Sequence, residues 1–214
     1  MRFVFLLLLA ASLAAGVPEP TLVPGKTIAA WDFTKAGDEL APNSVPGMPD
    51  LKAGREIPGV VKDGMQFNNG GRLEGPGVPG LLDGKTPFEL DMRIKPLQLP
   101  GGYCGGLFQC FEYNKAGFRF YLFGNMKLGC DIYPQGGKIV GLNSKTILEL
   151  GKFYDVRILF TPDRAYLYLD GKLDNSAKVG LPATTKADIL VGDSAGRDYY
   201  YNGVIGHITI KELK

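Results

Sequence analysis

The sequence predicts an all-β chain in which two antiparallel sheets pack face to face as a sandwich. Three observations lead there. Residues 150–173, LGKFYDVRILFTPDRAYLYLDGKL, alternate apolar and polar positions with period two around a Pro-Asp turn and close on Asp-Gly. No stretch carries a helical period of useful length, and 30 Gly with 15 Pro cut the chain into short pieces. The resulting strands are too many for one open sheet, so each must bury one face against a second sheet and leave the other solvated.

The elements follow in order. The chain opens with MRFVFLLLLAASLAAG, in which Arg2, an apolar run over 3–11 and small residues over 10–16 form the pattern of an export signal occupying residues 1–16. The run is shorter than the roughly 20 residues a membrane helix needs, and no later segment approaches that length. The mature chain is therefore expected to carry no membrane span and to be secreted, periplasmic or displayed at a cell surface. No Cys follows the small residues, which argues against a lipoprotein anchor. Residues 17–26 are expected as an extended leader, and 27–214 as a single domain large enough to hold a core without metals or disulfides.

Expected strands cover 27–33, 64–68, 72–74, 88–95, 106–113, 118–123, 127–133, 138–142, 152–161, 164–169, 187–191 and 203–211. In 88–95 the alternation turns Phe88, Leu90, Met92 and Ile94 inward, and Glu89, Asp91, Arg93 and Lys95 outward into cross-strand ion pairs. Tight turns at 114–116 and 124–125 join the next three strands. That register sets Cys110 opposite Phe120, Phe120 opposite Cys130, Leu122 opposite Leu128 and Arg119 opposite Asp131. An intervening strand would then keep Cys110 and Cys130 about 9–10 Å apart, beyond the ~7 Å limit for a bridge, so both are expected as buried thiols. Cys104, in the glycine-rich GGYCGG, is expected to be the most exposed of the three. On the last strand His207 shares a face with Thr209 and Lys211 and reads as a surface imidazole.

These segments carry a resemblance. KFYDVRIL at 152–159 and LYLDGKL at 167–173 resemble a signature of the laminin-G-like, concanavalin-A-like jelly-roll family, with Phe153 where that family usually has Trp. Trp31-Asp32-Phe33, GMQFN at 64–68, PFELDMRIKP at 87–96, Gly106-Leu107-Phe108, residues 189–192 and YNGVIGHITI at 201–210 are similar to further family elements, in family order. The resemblance implies that the two antiparallel sheets form a jelly-roll sandwich, and a range of roles spanning lectins, adhesion modules, carbohydrate-binding appendages and glycosidases.

Glycosidases of this superfamily carry three alternating carboxylates on one strand. Here Glu89 and Asp91 supply two, but Arg93 and Ile94 stand where the third would be, so the chain is expected to be noncatalytic. A single His excludes a two-His metal site, and no nucleophile elbow or phosphate loop occurs. Removing residues 1–16 takes one of 24 basic residues against 22 acidic, which leaves a formal charge of +1 with no basic stripe, so nucleic acid is a poor partner.

Two loops offer ligand chemistry. Oxygen-rich rim positions at Asn68, Asn69, Asp193 and Asp198 are candidate calcium ligands, since several modules of this family bind that ion there. Arg197, Asp198, Tyr199, Tyr200 and Tyr201 set three aromatic rings beside a cation and a carboxylate, the chemistry that stacks on sugar C–H groups and reads hydroxyls. Tyr103 and Tyr113, near the two ends of one strand, form a second candidate set. Three functions follow: an exported noncatalytic carbohydrate-binding module, a structural or adhesive domain for an extracellular protein partner, and a divergent glycosidase or lyase using Glu89 and Asp91.

Overall fold

The computed structural model describes residues 20–37, 40–54, 56–68, 70–77, 83–100, 102–194 and 199–214. The expected export signal at 1–16 lies outside them. Sixteen strands are present among the described residues: β1 (Pro24–Asp32), β2 (Leu40–Ala41), β3 (Leu51–Ala53), β4 (Gly59–Val61), β5 (Gly64–Phe67), β6 (Leu73–Gly75), β7 (Phe88–Pro96), β8 (Cys104–Glu112), β9 (Ala116–Phe123), β10 (Leu128–Tyr133), β11 (Val140–Asn143), β12 (Tyr154–Phe160), β13 (Arg164–Leu169), β14 (Lys172–Lys178), β15 (Ile189–Val191) and β16 (Gly203–Leu213). The only other regular element described is a 3-10 turn at Phe33–Lys35. No helix among the described residues is long and apolar enough to cross a membrane.

The strands form two antiparallel sheets of eight. The first runs β14-β13-β12-β7-β16-β5-β4, with β1 paired to β16 alongside β5; the second runs β11-β10-β9-β8-β15-β6-β3-β2. Inward side chains of the two sheets meet in one core, where Trp31 faces Phe108 at 6.4 Å, Phe88 faces Phe118 at 6.0 Å and Phe118 faces Phe160 at 4.9 Å between ring centroids. Each such buried aromatic contributes about 1.5–3 kcal/mol by leaving water.

Strand β7 shows how the pattern translates. Phe88, Leu90, Met92 and Ile94 enter the core. On the opposite face Glu89 and Arg93 make the ion pairs the alternation predicts, to Lys211 at 3.1 Å and to Asp155 at 3.0 Å, while Asp91 is hydrogen-bonded to His207 at 2.7 Å.

Several expectations are corrected. The β8–β9 hairpin turns at 113–115, with Asn114 at φ 59° and Glu112 facing Ala116, so Cys110 stands opposite Phe118 rather than Phe120. The pairs Cys130–Phe120, Leu122–Leu128 and Arg119–Asp131 are as expected. Cys104 is only 1 % exposed, because β8 starts two residues early and Asp193, Ser194, Tyr200 and Tyr201 close over its glycines: a Cβ on Gly105 would lie 2.7 Å from the Tyr200 carbonyl, and one on Gly106 2.3 Å from Asp193. All three thiols are free and buried. Strand β1 begins at Pro24, inside the expected leader, where Val23 and Lys214 exchange backbone hydrogen bonds of 3.0 Å.

Candidate functional site

The outward face of the second sheet is aromatic. Strand alternation puts Arg119, Tyr121 and Phe123 of β9 on that face, beside Phe111 of β8 and Asp131 and Tyr133 of β10. Tyr103, immediately before β8, meets Phe123 edge-on at 5.3 Å, and Phe123 meets Tyr121 edge-on at 4.8 Å. The Arg119 guanidinium then lies 5.3 Å from the Tyr121 ring and 5.4 Å from the Phe111 ring. Phe111 in turn contacts Tyr133 at 5.2 Å and Tyr113 at 6.3 Å.

The middle of this row is fixed electrostatically. Asp131 accepts from Arg119 Nε at 2.8 Å and from Tyr121 Oη at 3.0 Å, and its ion pair to Arg119 Nη2 is 2.6 Å. Burial, then the negative charge of Asp131, pushes the Tyr121 phenol up, so it stays a donor. Glycine at 129 is required here, since a Cβ would come within 2.5 Å of the Tyr121 ring that lies across β10.

At the β9–β10 turn the row opens into a cleft of about 600 Å³ lined by Gly102, Tyr103, Phe123, Gly124, Asn125, Lys127, Asn143 and Ser144. Met126, at φ 61°, closes the turn by donating to the Phe123 carbonyl at 2.9 Å, and Asn125 Oδ1 accepts from the Lys127 amide at 3.2 Å. Tyr103 is 67 % exposed. Ser144 is committed to structure, accepting from the Leu128 amide and donating to the Thr146 carbonyl. Asn143 and Lys127 supply polar side chains beside the rings. An apolar wall with a few placed donors, at a volume within the ordinary range for ligand sites, is what a sugar requires.

The three-tyrosine cluster does not assemble as one patch. Tyr201 is 0 % exposed and belongs to the core, a correction to its expected binding role. Its ring occupies space that Gly203 leaves empty, since a Cβ there would meet Tyr201 Oη at 2.5 Å. Tyr199 lies against Gly102, beside the cleft, while Tyr200 packs over Gly70. Arg197 and Asp198 lie outside the described residues, as does Asn69. Asn68 is exposed at the end of β5. Asp193 is turned inward onto Arg72 at 3.3 Å, which corrects its placement as a rim calcium ligand. No group of three His, Cys, Asp or Glu residues positioned for a metal occurs among the described residues.

A second hollow, of about 560 Å³, lies on the first sheet, with Asp91, Arg93, His207 and Thr209 lining it beside Asp32, Lys62 and Asp63. Glu89 does not line it. That carboxylate is 3 % exposed and bonded to Lys211, so Glu89 and Asp91 share a strand face yet serve different partners. The sequence did single out Tyr103 and Tyr113. It missed Phe111, Phe123, Asn125, Lys127 and Asn143, which only the pairing of β8, β9, β10 and β11 brings together.

Comparison with known proteins agrees with this architecture. No curated protein matches the sequence. Trypanosoma rangeli sialidase in complex with sialic acid superposes with a TM-score of 0.62 at 15% identity, over 86% of this chain and 30% of its own, so the chain spans about three-tenths of that enzyme. Domain 4 of AbnA, an extracellular arabinanase from Geobacillus stearothermophilus solved with arabinotriose, gives 0.59 at 15% identity over 89% of this chain and 94% of its own. The binding domain of botulinum neurotoxin DC in complex with SialylT gives 0.58 at 13% identity, over 87% and 46%. At such identities the likeness is one of fold. Residues 81–212 match the sequence family described as concanavalin A-like lectin/glucanases, and with more than half its length so matched, the chain belongs to that superfamily.

Proposed function

We propose that this chain is an exported, noncatalytic carbohydrate-recognition module that holds sugar in the cleft between Tyr103, Phe123 and the β9–β10 turn. The observation that carries the reading is Tyr103, a large ring 67 % exposed and braced edge-on by Phe123 at 5.3 Å. Leaving such a ring in water costs free energy that a stacked sugar face recovers. Asn125, Lys127 and Asn143 line the same space and supply hydrogen bonds to hydroxyls.

The fold neighbours support a sugar ligand: an arabinanase domain of nearly the same extent was solved with arabinotriose, and a toxin binding domain with SialylT. The noncatalytic part of the reading is supported by Glu89, whose carboxylate is buried against Lys211 and has no access to a shared opening with Asp91. Two carboxylates facing one substrate are what glycoside hydrolysis demands.

A glycan-array screen, with calcium and then with chelator, tests the proposal. The expected outcome is a glycan signal that Tyr103→Ala reduces about three- to tenfold, the range of one aromatic contact. Loss of signal in chelator would bring an ion into the site. Silence under both conditions would end the carbohydrate reading.

A further inference from the structure

The polar groups of the cleft are unequally divided between donors and acceptors. Lys127 precedes β10, and with Leu128 turned into the core its own side chain projects to the outward face, half-buried in the cleft lining. Asn143 of β11 stands opposite Gly129, over which the Phe123 ring lies, and so reaches the same space. Among the described residues the Lys127 ammonium makes no ion pair, hydrogen bond or ring contact, and the side-chain amide of Asn143 is likewise uncommitted. Asn125 Oδ1 is occupied by the Lys127 amide, and the Ser144 hydroxyl is engaged as both donor and acceptor. Lys127 Nζ, Asn125 Nδ2 and Asn143 Nδ2 therefore face a ligand as donors, against Asn143 Oδ1 as acceptor and a Tyr103 hydroxyl that can serve as either. None of the residues lining the cleft is acidic.

We infer that the cleft selects a sugar acid, its ring on Tyr103 and its carboxylate held by Lys127 with Asn125 and Asn143 beside it. The inference rests on the carbohydrate reading and names the ligand class within it. Every hydroxyl of a neutral sugar is a donor as well as an acceptor, and this lining has little to receive those donors. A carboxylate only accepts, and it supplies the charge that the ammonium lacks. The other cation of this face, Arg119, is closed onto Asp131 at 2.6 Å, so the charge open to a ligand is that of Lys127. Because Lys127 is already partly out of water, its pairing with a carboxylate sacrifices less hydration than that of a fully exposed lysine.

Calorimetric titration of the mature chain with two matched pairs tests this: methyl β-glucuronide against methyl β-glucoside, and sialyllactose against lactose. The acid is expected to bind about three- to tenfold tighter than its neutral partner in at least one pair, and the pair that shows it separates a uronate from a sialate. Raising NaCl from about 0.1 M to about 1 M, which shortens the screening length from about 10 Å to about 3 Å, is expected to shrink the preference. Lys127→Gln is expected to abolish it and Lys127→Arg to keep it, whereas Tyr103→Ala weakens acid and neutral sugar alike. Neither Lys127 variant removes a side-chain bond of the described fold. A neutral sugar bound as tightly as its acid in both pairs, or a preference that survives Lys127→Gln, would overturn the inference and leave the carbohydrate reading intact. Glycan-array signals confined to neutral sugars would do the same, and failure of all four sugars together with a silent array would remove both.

Discussion

Cys104 stands between two pairs of glycine, a setting that in the sequence reads as an open loop. The glycines serve the opposite end. Having no side chain at 105 and 106 lets the backbone of Asp193, Ser194, Tyr200 and Tyr201 press onto the start of β8, and that contact covers the thiol. Burial pushes the Cys104 thiol up to about 11 and that of Cys110 to about 12, and raises that of Cys130 as well. Because the folded-state values are raised, stability linked to these thiols is complete below pH 9 and is lost as pH climbs toward 11 and 12. At pH 8 only about a thousandth of a thiol with a pKa near 11 is thiolate, the reactive form. Iodoacetamide at pH 8 is therefore expected to leave the folded chain unmodified and to label all three cysteines once guanidinium unfolds it, read by intact-mass spectrometry. Rapid labelling of Cys104 without denaturant would show the loop does not seal it. Cys110 and Cys130, by contrast, were legible as buried, because they occupy inward positions of strands with clear alternation. Tyr201 was not, since three consecutive tyrosines in a loop carry no period, and only the space above Gly203 selects which ring turns in.

Among the strands, β7 and β14 mark the two extremes of legibility. In PFELDMRIKP every second residue is apolar, so both the buried face and the ion-paired face follow directly. Strand β14, KLDNSAK, has no such alternation, because it is an edge strand whose residues are mostly half-exposed. It was not among the expected strands, although Asp170-Gly171, at φ 49° and 76°, is the left-handed pair that a two-residue hairpin demands. The charged face of β7 is more than decoration. Glu89 is buried while its partner Lys211 reaches solvent, so removing the partner strands a carboxylate in the interior. Lys211→Met is expected to cost about 3 kcal/mol in urea denaturation, and adding Glu89→Leu to recover most of it, since a well-packed apolar pair replaces a buried ion pair at little loss. If the single variant proved as stable as the native chain, the pair would be ornamental.

For the whole molecule, the sandwich was legible and the aromatic row was not, for one reason. Alternation within a strand needs only neighbours in sequence, whereas the row is assembled from outward positions of β8, β9 and β10 plus a turn, and depends on their mutual register. A two-residue shift in the β8–β9 hairpin, the very error in the expected register, changes which outward residues of β8 stand beside Arg119 and Tyr121. The same dependence on distant pairing governs folding. Among the described residues, strand β16 is the sole strand partner of β1, holds one edge of β5 and runs beside β7 from Gly203 to Glu212. Without β16 the first sheet falls into three pieces, β14-β13-β12-β7, β5-β4 and β1. Ile205, Ile208 and Ile210 are fully buried. Their burial alone amounts to about 5–9 kcal/mol, comparable with the about 5–15 kcal/mol that a domain has in total. A chain ending at Asn202 is thus expected to lack cooperative unfolding, to bind the dye ANS and to lose its near-ultraviolet circular dichroism, even though β8 to β11 remain intact in sequence. A sharp thermal transition in that truncated chain would mean that the second sheet is stable alone, and that β16 completes a fold it does not hold together.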